Sequence, residues 1–128
     1  ALAALLAEPP GHAAYYLGGL LASSHRALLA AGLPPAVLEQ EGPVSPQGAA
    51  ALARLARERM GTDIGLALAG VLEAGGADHQ PVGALHLALD DGGSPRTAAL
   101  NYATALSEMR RLGALAAINL VRLHLLRV

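Results

Sequence analysis

The stretch that decides the fold covers residues 41–70 and reads EGPVSPQGAAALARLARERMGTDIGLALAG. Ser45 is a good helix N-cap because its hydroxyl can accept a hydrogen bond from a free backbone amide, and Pro46 suits the first helical position. Gly61 can adopt the left-handed conformation that ends a helix. Between them, apolar residues recur at helical spacing and mark the core face: Leu52, Leu55, Ala56 and Met60. The stretch therefore predicts a helix between Ser45 and Gly61, followed by a buried strand over residues 64–69.

On either side of this stretch, helix-forming and strand-forming segments follow one another. Helices are predicted over residues 1–8, 25–32, 34–40 and 105–126, and strands over residues 15–22, 64–69, 82–89 and 97–102. Strands and helices alternate in the first half, and a hairpin-like pair of strands follows. We therefore expect an α/β fold in which a mixed β-sheet is covered by helices on both faces, a three-layer α/β/α arrangement. No linker or repeat divides the chain, so residues 1–128 are expected to form one domain.

The composition excludes several classes of function. The 128 residues include no cysteine, which excludes disulfides, thiolate metal sites and a cysteine nucleophile. There is no lysine either, so a lysine base or a Schiff base is excluded. The net charge is −1, and Arg54, Arg57 and Arg59 are interpreted as a solvated helix face with carboxylate neighbours, so we expect no nucleic-acid partner. No apolar run approaches the roughly 20 residues that span a bilayer, so we expect no membrane partner and a cytoplasmic location.

Three segments carry candidate chemistry, each with a simpler alternative. The glycine-rich segment 70–76 could bring backbone amides close to a phosphate, but it matches no known phosphate or dinucleotide motif and is more simply a connecting loop. The segment 23–26 places a serine beside His25, although helix capping explains the serines better than catalysis does. The five histidines lack ligand spacing, and residues 90–93 are most simply a turn, so we expect no metal and no cofactor.

Taken in order, four segments resemble the C-terminal domain of the CinA family. Residues 10–24, PGHAAYYLGGLLASS, are similar to the family's P-G-[small]-S-x-x-[aromatic]-x-G-G-V-V-A-Y-S. Residues 31–70 resemble a long segment that ends in G-[AT]-D-[IL]-G-L-A-[VI]-T-G, residues 80–89 resemble K-P-V-G-T-V-Y-[IL]-A-[LV], and residues 108–125 resemble the final helix. This domain is best known as a nicotinamide-nucleotide amidohydrolase, which releases ammonia from nicotinamide mononucleotide. The resemblance implies a pyridine-nucleotide ligand similar to nicotinamide mononucleotide.

The chain departs from the family at the positions that carry the chemistry. The family's nucleophilic serine lies in an S-C-T-G-G segment that is absent here, so we expect this chain to lack the family's N-terminal helix-strand segment. The family's A-Y-S-N-x-x-K supplies a tyrosine and a lysine, whereas Ser23 stands at the tyrosine position and Arg26 is the basic residue nearest to the lysine position. Arginine stays protonated and cannot act as a general base. We therefore predict no catalytic residue, and the nearest family positions are Ser23, Ser24 and Arg26.

The substrate-binding positions are altered as well. The family's T-G-I-A-G-P-G-G loop corresponds to residues 69–76, which keep Gly70, Gly75 and Gly76 as the implied substrate-binding residues. The threonine is replaced by Ala69, and Glu73 adds a carboxylate that would repel an anion. The family's G-D-R before the last helix corresponds to residues 104–106, TAL, so an arginine suited to a phosphate is lost.

Two hypotheses follow from these matches and losses. The first is a domain with an eroded amidohydrolase site that serves as a structural, oligomerising or ligand-binding module, because loss of a nucleophile or a base typically lowers a rate by orders of magnitude. The second is an active nicotinamide-nucleotide amidohydrolase whose nucleophile segment is absent from this chain. Under either hypothesis the resemblance implies a homo-oligomer, since related domains associate.

Overall fold

The fold combines five helices and three strands in the part of the chain that the computed structural model describes, namely residues 2–11, 15–16, 18–19, 25–40, 42, 44–70, 84–101 and 106–127. The helices are α1 (Leu2–Ala7), α2 (His25–Ala31), α3 (Pro35–Gln40), α4 (Pro46–Met60) and α5 (Leu106–Leu125). The strands are β1 (Gly65–Gly70), β2 (Ala84–Asp90) and β3 (Arg96–Asn101). These elements confirm the predicted helices and three of the predicted strands. Half of the strand predicted over residues 15–22 lies outside the described residues, and the described half, residues 15–16 and 18–19, is not part of a strand.

Helix α4 begins and ends at the residues that the sequence indicates. The Ser45 hydroxyl accepts a hydrogen bond from the Gly48 amide at 2.8 Å and donates one to the Gly42 carbonyl, also at 2.8 Å. At the other end, Gly61 has a φ of 63°, and its amide donates to the Arg57 carbonyl. A residue with a side chain would be strained in this left-handed conformation. Both caps of the helix are therefore encoded locally.

The three described strands form an antiparallel sheet in the order β1-β2-β3. In β1 and β2, Gly65 pairs with Asp90 and Gly70 pairs with Leu85, so the connection between these strands leaves from the Gly70 end. Strand β3 pairs with β2, and Leu89 lies opposite Arg96. Both strand pairs are antiparallel. A mixed sheet, as predicted from the sequence, would need a parallel pair as well, and the described strands form none.

Two of the core clusters among the described residues use alternating residues of β2. Four buried alanines, which we call the alanine seam, join α4 to the sheet: Ala49, Ala53, Ala67 and Ala88. A second cluster joins the sheet to α5 through Leu87, Leu89, Ala117 and Leu120, and Leu2 of α1 packs against it. Since successive strand residues point to opposite faces, Ala88 and its neighbours Leu87 and Leu89 serve different helices. No helix of the described residues is long and apolar enough to cross a membrane.

Close approach of α4 to β1 depends on Gly65. A Cβ added at this glycine would lie only 1.9 Å from the Ala53 carbonyl oxygen and 2.9 Å from the Arg57 Cβ. Backbone atoms of the helix therefore occupy the space that any side chain at this position would need. Glycine sets the distance across the alanine seam.

Candidate functional site

The implied substrate loop, residues 69–76, starts in the last two residues of β1, and Gly70 lies beside the first residues of β2. A Cβ added at Gly70 would lie 2.3 Å from Cδ2 of Leu85, its partner in the sheet. Glycine therefore lets the Leu85 side chain cover the backbone at the start of the loop. The sequence singles out Gly70 for the ligand, and the structure gives it a packing role as well.

The position of the family's loop threonine is occupied by a methyl group in an apolar setting. Ala69 packs against Val44, which is 5% exposed, and Ala84, which is 6% exposed. Val44 immediately precedes the N-cap of α4, so this helix begins next to the end of β1. A threonine hydroxyl would have offered a donor and an acceptor here, whereas Ala69 offers neither. Sequence reasoning missed Val44 and Ala84 as neighbours of this position, because the contacts are long-range.

The remaining implied site residues divide into one that the structure describes and four that it does not. Arg26 lies in the first turn of α2 and is exposed. Ser23, Ser24, Gly75 and Gly76 lie outside the described residues. Their predicted roles, and the absence of a catalytic group among them, remain predictions.

The opposite end of the β1–β2 pair carries a buried carboxylate. The side chain of Asp90 is only 7% exposed, and its Oδ2 accepts a hydrogen bond from Arg57 Nε of α4 at 2.7 Å. Its other oxygen accepts a longer bond of 3.4 Å from the Gly92 amide. The prediction of a turn over residues 90–93 is confirmed, since Gly92 has a φ of 98°. The prediction missed that the first carboxylate of the turn is buried and holds α4.

The arginines of α4 have two kinds of surroundings. Arg54 is exposed and donates to Glu58 at 2.8 Å, and this hydrogen bond raises the pKa of the guanidinium above its usual value. That pair matches the predicted solvated face with carboxylate neighbours. Arg57 differs because it is partly buried and its partner, Asp90, comes from the sheet. The cluster is therefore divided between a surface pair and a contact within the core.

Among the described residues, no three histidine or acidic side chains lie close enough together to hold a metal ion. His124 of α5 lies 3.3 Å from Asp91, measured between Nε2 and Oδ2. The Nδ1 atom of His86 is buried and has no hydrogen-bond partner within the described part of the chain.

A groove of about 160 Å³ lies between β3 and α5. One polar side chain, Asn119, contributes to its wall, and the other residues are apolar: Leu87, Ala98, Leu100, Ala116, Leu120 and Leu123. The Asn119 carbonyl oxygen accepts a hydrogen bond from Arg122 at 2.9 Å. These lining residues include one side-chain amide and no cation, so the groove does not suit the charged part of a nucleotide.

Comparison with known proteins places these features in a family. Residues 1–125 match the model of the CinA C-terminal domain. A CinA-like protein from Geotalea daltonii is 35% identical over 127 residues, which cover 98% of this chain and 31% of that protein. A putative competence-damage inducible protein from Moorella thermoacetica is 42% identical over 83 residues, covering 63% of this chain and 20% of that protein. The chain thus spans about a third or less of the length of these relatives.

Solved structures agree with the sequence comparison. A crystal structure of a competence-damaged protein (CinA) superfamily protein from Escherichia coli superposes with a TM-score of 0.85 at 26% identity, covering 92% of this chain and 70% of that one. A competence damage-inducible protein from Klebsiella pneumoniae gives a TM-score of 0.87 at 23% identity and shares the fold. With this fold and a family match over nearly its whole length, the chain belongs to the CinA C-terminal domain family.

Proposed function

We propose that this domain is a non-catalytic member of its family, with an eroded nicotinamide mononucleotide amidohydrolase site that has kept a structural, oligomerising or ligand-binding role. The observation that carries the proposal is the surroundings of Ala69. At the position of the family's loop threonine, a methyl group packs against Val44 and Ala84. The hydroxyl that this position supplies in the resembled motif is absent, and its surroundings are apolar.

The basic position supports the same proposal. The residue nearest to the family's lysine is Arg26, whose guanidinium stays protonated and cannot accept a proton from a serine. Arg26 is exposed at the start of α2, where a charged side chain is well solvated. Together with the missing arginine before α5, these replacements affect the base, the loop hydroxyl and the phosphate contact at once.

The alternative is an active nicotinamide-nucleotide amidohydrolase whose nucleophile segment is absent from this chain. Family membership favours it, because the glycines of the substrate loop are retained. The relatives are about three times as long as this chain, so an activity of a whole protein can depend on residues outside it.

An assay of ammonia release from nicotinamide mononucleotide separates the two. The protein expressed from its complete gene should release no ammonia above the buffer blank, while an active family member assayed in parallel supplies the positive control. Sustained turnover would reject the non-catalytic proposal. Turnover that disappears when a serine of an upstream S-C-T-G-G segment is changed to alanine would establish the alternative.

Ligand binding is tested separately by thermal shift with nicotinamide mononucleotide and with its deamidated product. A melting temperature that rises with ligand concentration, without ammonia release, supports a ligand-binding module. The matched variant is Ala69→Thr, which restores the hydroxyl of the loop motif and should raise the affinity if the pocket still accepts a pyridine nucleotide. If neither nucleotide shifts the melting temperature of either protein, the ligand-binding role is rejected and the structural role remains.

The proposal includes an architecture and an assembly. We propose a mixed, three-layer α/β/α sheet, supported by the separate packing of α4 and α5 on alternating residues of β2. We also propose a cytoplasmic homo-oligomer. Light scattering coupled to size-exclusion chromatography would reject the oligomer if the protein elutes as a monomer at micromolar concentration.

A further inference from the structure

A row of three paired residues crosses the sheet at the start of the implied substrate loop. His86 of β2 lies between Ala69 of β1 and Ala99 of β3, its partners in the two antiparallel pairs. Side chains of directly paired residues lie on the same face of a sheet. His86 is two residues from Ala88, which contacts α4 in the alanine seam, so the row is on the α4 face. The row connects the first residue of the loop to the outer strand.

The outer part of this face is open and carries two polar side chains. Thr97 and Asn101 lie two residues to either side of Ala99 in β3, so they share its face. All three are exposed, whereas Ala88 beneath α4 is fully buried. We call the group formed by His86, Thr97, Ala99 and Asn101 the β2–β3 patch. Its hydroxyl and amide can each donate and accept a hydrogen bond.

The imidazole of the β2–β3 patch contains a nitrogen that the described fold leaves unpaired. His86 as a residue is partly exposed, but its Nδ1 is buried and has no hydrogen-bond partner within the described part of the chain. Its nearest positions on this face of the sheet all carry methyl groups: Ala69, Ala84, Ala88 and Ala99. Because a buried polar atom without a partner is unfavourable, a ligand group that bonds to Nδ1 removes that penalty.

The β2–β3 patch contains no carboxylate and no arginine. Asp90 is on the same face of β2, but its carboxylate is already bonded to Arg57 at 2.7 Å. Arg96 is next to Thr97 in β3 and is therefore on the other face. A primary carboxamide both donates and accepts, so it can pair with an imidazole nitrogen in either tautomer. An aromatic ring that carries a carboxamide thus suits the patch better than a phosphate does.

We infer that the β2–β3 patch binds the carboxamide-bearing ring of a pyridine nucleotide and makes no contact with its phosphate. The inference rests on the ligand-binding role proposed above and names the part of the ligand that is recognised. The carboxamide bonds to His86 Nδ1, and the hydroxyl of Thr97 and the amide of Asn101 bond to the polar edge of the ligand. Nicotinamide riboside, which lacks the phosphate, therefore binds as tightly as nicotinamide mononucleotide.

Isothermal titration calorimetry of the protein expressed from its complete gene, with each of these two ligands, tests the inference. The two dissociation constants should agree within about twofold. His86→Leu should weaken binding about three- to tenfold, as expected for one lost hydrogen bond, and His86→Asn should recover most of the loss. Thr97→Val and Asn101→Leu are exposed substitutions that should each weaken binding about two- to fivefold. The matched control is Asn119→Leu on α5, across the sheet, which should leave both constants unchanged.

Three results would overturn the inference, and they differ in what they say about the proposed function. If a ligand binds but His86→Leu, Thr97→Val and Asn101→Leu all keep the full affinity, the ligand-binding role stands and the β2–β3 patch is not its site. If the mononucleotide binds more than about tenfold tighter than the riboside, a contact with the phosphate supplies at least that factor. If neither ligand binds the unmodified protein, the ligand-binding role is rejected together with the inference.

Discussion

Replacing Gly65 by alanine should destabilise the domain by forcing α4 away from β1. The added Cβ would lie 1.9 Å from the Ala53 carbonyl oxygen. A carbon and an oxygen normally approach to about 3.3 Å, so relief requires a local displacement of about 1.4 Å. The obstacle is backbone within a helix, which cannot rotate aside as the end of a side chain can. Such a displacement would also loosen the alanine seam, which joins α4 to the sheet.

The expected magnitude combines two opposing effects. Overpacking of a filled core typically costs about 1–3 kcal/mol, and this contact belongs at the upper end because backbone is involved. Alanine also lowers the entropy of the unfolded chain, which returns about 0.4–1 kcal/mol. We therefore expect Gly65→Ala to lower the free energy of unfolding by about 2 kcal/mol or more.

Urea denaturation followed by circular dichroism measures this difference. The matched control is Gly93→Ala in the exposed β2–β3 turn, where the nearest atom to the added Cβ is a side-chain oxygen of Asp91 at 3.3 Å. The control should change the free energy of unfolding by less than about 0.5 kcal/mol. If Gly65→Ala is as stable as the control, with the same dependence on urea, the α4–β1 distance is not set by this glycine.

Three further predictions concern the caps and ion pairs. Ser45→Ala should lower the free energy of unfolding by about 1 kcal/mol, measured in urea, because the α4 N-cap loses its acceptor; an unchanged value would show that the cap is dispensable. Asp90→Asn should lower it by about 2–3 kcal/mol, since Arg57 would remain partly buried without a countercharge; a loss below about 0.5 kcal/mol would contradict this. The pKa of the Glu108 carboxyl lies below its usual value because Arg111 donates a hydrogen bond to it, so the pair stabilises the fold above that usual value and its contribution is lost as the pH falls through the lowered one. An NMR titration should show the Glu108 pKa rising in Arg111→Gln, and equal values in the two proteins would refute the pairing.

The parts of the fold with local signals were predictable from the sequence. Ser45, Pro46 and Gly61 determine where α4 begins and ends through contacts within a few residues of each helix terminus. Apolar runs likewise indicated β1, β2 and β3, with boundaries displaced by one or two residues. Local chemistry was sufficient for these elements.

Long-range pairings were not predictable in the same way. Arg57 and Asp90 are 33 residues apart, and the glycines after Asp90 give only the signal of a turn. Nothing in the local pattern distinguishes the buried Asp90 from the exposed Asp91, because the difference arises from which helix each one faces. The burial of the first carboxylate is a property of the packed fold.

For the candidate site, the sequence predicts which residue stands at each motif position, but only partly which residues surround it. A motif states which side chain stands at a position, such as Ala69 in place of threonine, but not what surrounds it. The contacts of Ala69 with Val44 and Ala84 depend on how α4 approaches the sheet. Ser23, Ser24, Gly75 and Gly76 lie outside the described residues.

The alanine seam has a practical consequence for mutational surveys of this protein. An alanine scan finds important residues by truncating their side chains to alanine. Four positions are already alanine and would stay unchanged: Ala49, Ala53, Ala67 and Ala88. Such a survey would therefore miss the contact between α4 and the sheet. Substitutions that add volume, such as serine or valine at these four positions, are the ones that would reveal it.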